Sequence, residues 1–240
     1  MALPKLETPK HSCTLPGNGQ TVTYRPFLVG EQKLLLIAQE SENQNDMLRE
    51  MMRLIEICTD DVKVRELTSI DIEWLFLNIR MKSIGETSNV VVKCSEKSCE
   101  ADNEIVLDLE NDVVITEPEE VVSPVIQLTP TISIEFRHPS YAMMEEFNIS
   151  EEEQASTNDM FKIISRSVVS IINDDEVLSR DDFTDKELSN FIDSMSSLMF
   201  NKIQQFFQSV KTLKIKKDFE CKVCGKSNQI ELEGIGNFFE

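Results

Sequence analysis

The chain has 240 residues, 40% of them apolar, and a formal net charge of −19 from 43 acidic and 24 basic residues. This length is enough for a substantial core in one large domain or two coupled subdomains. The acidic balance disfavours direct binding to nucleic acid or to an anionic membrane, because the long-range field is repulsive, and it favours basic protein partners. The alternative is that most of these charges simply solvate helix faces.

The six cysteines are too few for a dense disulfide framework. The opening residues, MALPKL, lack the apolar run of a signal peptide. No stretch approaches the roughly 18 apolar residues that a transmembrane helix needs. We therefore expect a protein made in a reducing cytoplasm, where clustered cysteines more often bind metal than form disulfides.

Proline and glycine are dense in residues 1–19, which predicts an extended arm laid on the surface. Alternating apolar residues predict a strand at 21–27, ended by Pro26 because proline cannot donate to a ladder. A helix follows at 31–38. Four consecutive aliphatic residues, 34–37, predict that this helix is buried on more than one side.

Two further helices are predicted in the first half of the chain. Residues 46–58 have helical apolar spacing, and Cys58 lies on that stripe as a buried small thiol. Residues 67–85 start with Thr68 as a cap and Asp71 in the favourable first turn. The predicted buried stripe of this helix is Ile72, Leu75, Phe76, Ile79 and Ile84.

Two stretches have the pattern strand, cysteine pair, strand. In the first, Cys94 and Cys99 lie between apolar strands, and in the second, Cys221 and Cys224 lie between alternating strands. Gly225 can adopt the positive φ that a tight turn often needs. Each pair of thiolates suits half of a tetrahedral zinc site.

If the two hairpins meet, the four thiols predict one shared zinc ion bound by Cys94, Cys99, Cys221 and Cys224. Such a zinc would be structural, because four thiolates leave no open position for water or substrate. The alternative is that one or both pairs stay free of metal, since an ordinary zinc ribbon separates its pairs by only about 15–20 residues. A redox role is disfavoured because no helix N-terminus follows the second pair to lower a thiol pKa.

The middle of the chain contains an acidic, proline-containing connection and then a mixture of strands and helices. The predicted elements are the connection at 110–124, a hairpin at 125–136, a short helix at 139–147, a helix at 159–173, a loop at 174–182 and a long helix from 184 to about 210. The long helix opens with a capping box in which Thr184 is the cap and Glu187 reaches back.

The order of elements repeats. Each half has a strand running into a proline, a helical region, an acidic loop, a threonine-capped helix and a cysteine hairpin. The sequence thus predicts an α+β fold of two pseudo-repeated, zinc-ribbon-like halves, although chance similarity of such patterns is the alternative. The predicted parts are an arm (1–19), a first half (20–110), an acidic linker (111–124), a second half (125–234) and a tail (235–240).

Catalytic motifs are not recognisable. The sequence has no phosphate loop, nucleotide fingerprint or nucleophile elbow, and its two histidines offer little for acid–base work. A metal hydrolase would need a water-bearing metal site that these residues do not offer. The chain is therefore predicted not to be an enzyme.

Four segments carry a family resemblance: MALPKLETP (1–9), YRPFLVGEQKLLLIA (24–38), DIEWLFLNIRMKSIGE (71–86) and GIGNFF (234–239). They resemble the baseplate hub proteins of T4-like bacteriophages. The resemblance implies a structural or assembly component of a contractile-tail baseplate, with other hub or tail proteins as partners. It also implies a location in the host cytoplasm during assembly and in the tail baseplate of the virion.

Phe238 and Phe239 in the tail are predicted docking residues, because aromatic anchors are common in interfaces. The alternative is that they pack against their own domain. The second functional hypothesis is a zinc-ribbon-type transcription adaptor that binds a polymerase. Its acidic charge would require contact with protein and not with DNA.

Overall fold

The computed structural model describes residues 7–40, 44–146 and 156–233. The fold is mixed α+β, as the sequence predicts. The chain divides into two compact units. Unit 1 comprises Met1–Thr116 and Lys211–Glu240, and unit 2 comprises Glu117–Val210.

The described residues contain seven α-helices and eleven strands. The helices are α1 (Val29–Glu40), α2 (Gln44–Cys58), α3 (Ser69–Ser83), α4 (Tyr141–Glu146), α5 (Thr157–Ser167), α6 (Asp185–Asp193) and α7 (Ser197–Gln208). The strands are β1 (His11–Thr14), β2 (Thr21–Tyr24), β3 (Thr87–Lys93), β4 (Asp102–Asp108), β5 (Val113–Thr116), β6 (Val125–Gln127), β7 (Ile132–Phe136), β8 (Val168–Asn173), β9 (Glu176–Ser179), β10 (Thr212–Glu220) and β11 (Ser227–Glu233).

The units differ from the halves expected at 20–110 and 125–234. The second cysteine hairpin, β10–β11, belongs to unit 1 with the first, β3–β4. Part of the predicted linker is the strand β5, which pairs antiparallel with β10. Unit 2 is therefore inserted in the chain between two paired strands of unit 1.

Part of the predicted arm, His11–Thr14, is a strand. β1 pairs antiparallel with β2, and Leu15 directly after it is only 1% exposed. The extended conformation expected here is present at His11–Thr14, whose side chains are exposed or half-buried, whereas Leu15 is a core residue. Pro16, Gly17 and Gly19 lie in the turn between the two strands, where the Gly19 N–H donates to the Leu15 carbonyl over 3.0 Å. Residues 1–6 lie outside the described ranges.

A buried carboxylate joins this turn to α3. Asp71 is 1% exposed and accepts hydrogen bonds from the Gly17 N–H (2.6 Å) and the Thr68 hydroxyl (2.9 Å). A Cβ at Gly17 would lie 2.5 Å from one oxygen of this carboxylate, so any larger residue there would displace the Asp71 side chain. Thr68 occupies the N-cap position as predicted, but its side chain does not cap the helix backbone. Its hydroxyl is used by Asp71 instead.

The predicted burial holds for most of α2 and α3 but not for α1. α3 is the central helix, since it packs against both α2 and β10. Its predicted stripe is buried except for Ile84, which is 57% exposed. In α1 only Leu35 of the aliphatic run is buried, whereas Leu34, Leu36 and Ile37 are exposed by 38%, 50% and 53%. The expectation that α1 is buried on several sides is wrong, because α1 packs mainly on α2.

Unit 2 is an antiparallel four-stranded sheet in the order β6-β7-β8-β9, with helices around one apolar cluster. The cluster comprises Ile126, Leu128, Ile134, Phe136, Ile164, Val168, Ile171, Leu188, Ile192, Ile203 and Phe206. The predicted hairpin at 125–136 and the short helix at 139–147 are present as β6–β7 and α4. This cluster supplies most of the apolar burial that stabilises the unit.

Two predicted helices in unit 2 are wrong in extent. The helix expected at 159–173 ends at Ser167, because the β-branched run that follows forms β8 between β7 and β9. The predicted loop at 174–182 contains β9.

The helix expected from 184 to 210 is two helices, α6 and α7. Ser196 starts the second one by accepting a hydrogen bond from the Met199 N–H. The predicted capping box of Thr184 and Glu187 is confirmed. Within the described ranges, no helix combines the length and apolar character that crossing a bilayer requires.

Candidate metal centre

The two cysteine hairpins carry their thiols at their turns. β3 pairs with β4 and β10 pairs with β11 in antiparallel registers that end at Lys93–Asp102 and Glu220–Ser227. Cys94 follows β3 directly, and Cys221 follows β10 directly. The second cysteine of each pair lies within the turn that returns the chain to the next strand.

The turns of the two hairpins have equivalent backbones around the second cysteine. Gly225 has a φ of +70° as predicted, and its N–H donates to the Cys221 carbonyl over 2.9 Å. In the other hairpin Glu100 has a φ of +43°, and its N–H donates to the Glu96 carbonyl over 3.0 Å. A positive φ is unusual for glutamate. The residue after the second cysteine therefore turns the chain back in both hairpins.

The structure brings together the four cysteines that the sequence predicts as ligands. Cys94 and Cys224 have their Sγ atoms 3.7 Å apart, and Cys99 and Cys221 have theirs 3.8 Å apart. All four sulfur atoms lie within 4.8 Å of one another, and all are free thiols.

These separations match a tetrahedral site and not disulfides. Thiolates bound to zinc at about 2.3 Å lie about 3.8 Å apart along the edges of a tetrahedron. A disulfide would need sulfur atoms about 2.05 Å apart. The donor set therefore fits a tetrahedral, thiophilic metal ion such as zinc, which would bind two ligands from each hairpin.

Hydrogen bonds and burial shift the pKa values of the clustered thiols. Backbone N–H groups of Cys224 and Val223 lower the pKa of Cys221 from 9.0 to about 6. A bond from the Glu96 N–H lowers the pKa of Cys94, but burial and the neighbouring thiols outweigh it and raise that pKa above 9.0. One thiolate disfavours ionisation of the neighbouring thiols, because like charges repel. A bound divalent cation would offset this repulsion.

Two buried asparagines, which the sequence analysis did not identify, flank the thiols. Asn103 accepts a hydrogen bond from the Lys222 N–H over 3.0 Å. Asn228 accepts one from the Ser95 N–H over 2.8 Å. Each asparagine lies four residues after the second cysteine of its own hairpin. This shared spacing is the signal that sequence inspection could have used.

The remaining cysteines are isolated from the cluster. Burial raises the pKa of Cys13 and of Cys58 to about 11, so both stay protonated at neutral pH. Cys58 is buried, in agreement with its predicted role as a small core side chain. Elsewhere in the described part of the chain, no other group of three or more potential ligands converges. The predicted docking residues Phe238 and Phe239 lie outside the described residues.

Comparison with known proteins gives one match. The model of the family described as T4 bacteriophage base plate protein matches residues 8–240, which is almost the entire chain. Searches of curated proteins and of solved structures gave no match. The family match includes both cysteine hairpins and unit 2, so it is not confined to one segment. The chain belongs to the T4 bacteriophage base plate protein family.

Proposed function

We propose that this chain is a structural or assembly component of the baseplate hub in a contractile-tail bacteriophage, and that it acts through contacts with other hub or tail proteins. The observation that carries this proposal is the family match over residues 8–240. The role is non-enzymatic, and the protein works in the host cytoplasm during assembly and then in the tail baseplate. The transcription-adaptor alternative gains no support from the match.

We propose further that Cys94, Cys99, Cys221 and Cys224 hold one structural zinc ion. The support is the tetrahedral spacing of their sulfur atoms, with 3.7 and 3.8 Å between the two cross-hairpin pairs. When bound, zinc would supply a cross-link between hairpins that unit 2 separates in the chain. Thiolates are required for this binding, so loading the metal releases protons.

We also propose that the two hairpins are copies of one zinc-ribbon-like element, in keeping with the pseudo-repeat predicted from the sequence. Three features support this: the positive φ after each second cysteine, the asparagine four residues beyond it, and the pairing of thiols across the hairpins. Phe238 and Phe239 remain our proposed docking residues for a partner.

The test of the hub proposal is complementation during infection. A phage with its copy of this gene disabled would be supplied with the tagged wild-type chain or with a Phe238→Ala, Phe239→Ala variant. We expect tagged wild-type chain to restore intact tails in electron micrographs and to co-purify with identified baseplate proteins. The tail variant should restore fewer tails.

Two outcomes would contradict the proposal. Normal tails without any supplied chain would show that the protein is not needed for assembly. Co-purification with a polymerase, together with normal tails and lost late transcripts, would point to the adaptor function. Equal complementation by the variant would remove only the role assigned to the two phenylalanines.

A further inference from the structure

We propose that Asn103 and Asn228 form a reciprocal amide clasp that positions the four thiols for metal binding. The clasp is defined by these two side chains and the backbone groups that they contact. This inference rests on the zinc site proposed above and deepens it. Neither asparagine is a ligand, so both act as positioning residues through hydrogen bonds to the hairpin turns.

The first half of the clasp runs from the first hairpin to the second. Asn103 Oδ1 accepts a hydrogen bond from the Lys222 N–H over 3.0 Å, and its Nδ2 donates to the Ala101 carbonyl over 2.9 Å. The same Nδ2 lies 3.7 Å from Cys221 Sγ, within donor distance of a sulfur acceptor. Asn103 is 1% exposed, so these bonds replace solvent contacts almost entirely.

The second half of the clasp runs in the opposite direction. Asn228 Oδ1 accepts from the Ser95 N–H over 2.8 Å and from the Ser95 hydroxyl over 2.7 Å. Its Nδ2 donates to the Lys226 carbonyl over 2.7 Å. The two halves share their backbone bonds: each carbonyl oxygen accepts from the other hairpin, and each amide nitrogen donates to the carbonyl two residues earlier in its own hairpin.

The position of the accepted N–H groups indicates what the clasp does. Lys222 and Ser95 each follow the first cysteine of their hairpin, so fixing their amides fixes the backbone that carries Cys221 and Cys94. Because unit 2 separates the hairpins in the chain, no short loop holds them in register. Outer-shell bonds of this kind orient metal ligands in other proteins and are needed for full affinity.

A buried amide with both ends bonded is costly to replace, because an apolar side chain leaves its former partners unsatisfied. The Lys222 N–H and the Ser95 N–H would each lose their side-chain acceptor. Loss of an outer-shell partner typically weakens metal binding by about 10–100-fold. We expect Asn103→Leu and Asn228→Leu each to weaken binding within that range.

The experiment is a cobalt(II) titration of the reduced, metal-free full chain, followed by displacement with zinc. Cobalt–thiolate absorption reports the ligand set, and the rate at which a chelator removes cobalt reports how well the site is held. We expect both leucine variants to reach the wild-type spectrum at higher cobalt concentrations and to release cobalt faster. Asn89→Leu, on the exposed face of β3, is the control and should behave as the wild type.

A milder pair of variants covers the case in which a leucine variant fails to fold. Ser95→Ala removes the 2.7 Å hydroxyl bond to Asn228 but keeps the backbone bond, and Ser95 is exposed. Ser98→Ala changes an exposed hydroxyl of the same turn that contacts Glu96. We expect Ser95→Ala to weaken cobalt binding about 2–10-fold, the worth of one hydrogen bond, and Ser98→Ala to leave it unchanged.

The outcomes distinguish failure of the clasp proposal from failure of the zinc-site proposal. A wild-type chain that gives no cobalt–thiolate absorption would overturn the proposed zinc site. A wild-type chain that binds cobalt as four thiolates, with the leucine variants and Ser95→Ala binding it equally tightly, would overturn the clasp alone. Weaker binding in Asn89→Leu or Ser98→Ala of the same size would also overturn it, since the effect would then not depend on the asparagines.

Discussion

Unit 1 and unit 2 are built from the chain in different ways. Unit 2 is one continuous segment without a cysteine, and its sheet and helices surround a single apolar cluster. Unit 1 is made from two segments separated by unit 2, and it contains all six cysteines. Both units bury apolar side chains, but only unit 1 joins two distant segments of the chain, and its four clustered thiols lie at the hairpin turns where those segments meet.

The small sheets of unit 1 explain why such a site is useful. β3 and β4 form a sheet of only two strands, and two-stranded hairpins are marginally stable in water. Their inner face buries Ile105 and Leu107, while Val91 and Val106 on the outer face stay exposed. A metal bound between the hairpins would add a cross-link to the burial of this inner face. In unit 2 all four strands lie in one sheet.

Removal of a ligand should have the largest effect and should be confined to unit 1. Apparent zinc-binding free energies of about 10–16 kcal/mol in small zinc domains are coupled to folding. We expect Cys221→Ser to abolish stoichiometric zinc in elemental analysis. Hydrogen exchange should show lost protection in β3, β4, β10 and β11, with β7 and β8 unchanged.

The matched control for this change is Cys13→Ser, which alters a thiol outside the cluster. It should keep the wild-type zinc content. Equal zinc in Cys221→Ser and Cys13→Ser would contradict the site, and equal loss of protection in both units would contradict the expectation that the effect is confined to unit 1.

Truncating a core side chain of unit 2 should have the opposite result: lower stability with unchanged zinc content. Phe136 is 2% exposed, and its ring lies 5.5 Å from that of Phe207 and 5.9 Å from that of Phe206. We expect Phe136→Ala to lower the free energy of unfolding by about 3–5 kcal/mol, from lost burial and the cavity left behind. Denaturant unfolding measures the loss, and zinc content should not change.

Val177→Ala is the control for this truncation, because Val177 in β9 is 62% exposed. It should change the unfolding free energy by less than about 0.5 kcal/mol. A Phe136→Ala chain that lost zinc as well would show that the units are coupled, and the comparison between them would fail.

The sequence predicted the elements of unit 1 better than those of unit 2, for local reasons. α3 is rich in apolar residues and begins after a threonine N-cap, and the cysteine turns have distinctive spacing, so both were identified. The run at 168–173 has helical and strand-like features at once, and its pairing with β7 and β9 decided the outcome. The pairing of β5 with β10 spans the whole of unit 2, and no local pattern encodes such a contact.

The candidate site was predicted in part. The four thiols are recognisable because few residue types bind zinc and their spacing is restricted. Asn103 and Asn228 were missed because asparagine in a strand usually has no special role, and their function depends on contacts with the other hairpin. In α1 the error was to predict too much: its run of aliphatic residues suggested burial, but most of the run is exposed.

A glycine substitution tests how much the packing of the β1–β2 turn against Asp71 contributes to stability. An added Cβ at Gly17 would lie 2.5 Å from a carboxylate oxygen of Asp71, which is itself buried. We expect Gly17→Ala to cost about 1–3 kcal/mol through this overlap. Gly30→Ala is the control: no other atom lies within 4 Å of its added Cβ, and a helical alanine should be neutral or slightly stabilising. Equal stabilities of Gly17→Ala and Gly30→Ala in thermal unfolding would show that the turn accommodates the added methyl group without loss of stability.

The smallest expected effect is a pH dependence confined to unit 1. Arg25 donates two hydrogen bonds to Glu31, at 2.9 and 2.7 Å, and they lower the pKa of this carboxyl below its ordinary value of 4.5. A carboxyl with a lowered folded-state pKa stabilises the protein above pH 4.5, and this contribution is lost as the pH falls through the folded-state pKa. Glu31→Gln should therefore cost about 1–2 kcal/mol at pH 7 and flatten the acid side of the stability curve.

The control for this pair is Glu66→Gln, which removes an exposed carboxylate that pairs with Lys63 over 3.1 Å. Exposed pairs contribute little, so its curve should overlay that of the wild type within about 0.5 kcal/mol. Urea unfolding from pH 7 down to about pH 3 gives both curves, followed by hydrogen exchange of β2 and α1 in unit 1 and of β8 in unit 2. Acid sensitivity of β8 that also disappears in Glu31→Gln would mean that the two units do not unfold separately, because Glu31 and its partner both belong to unit 1.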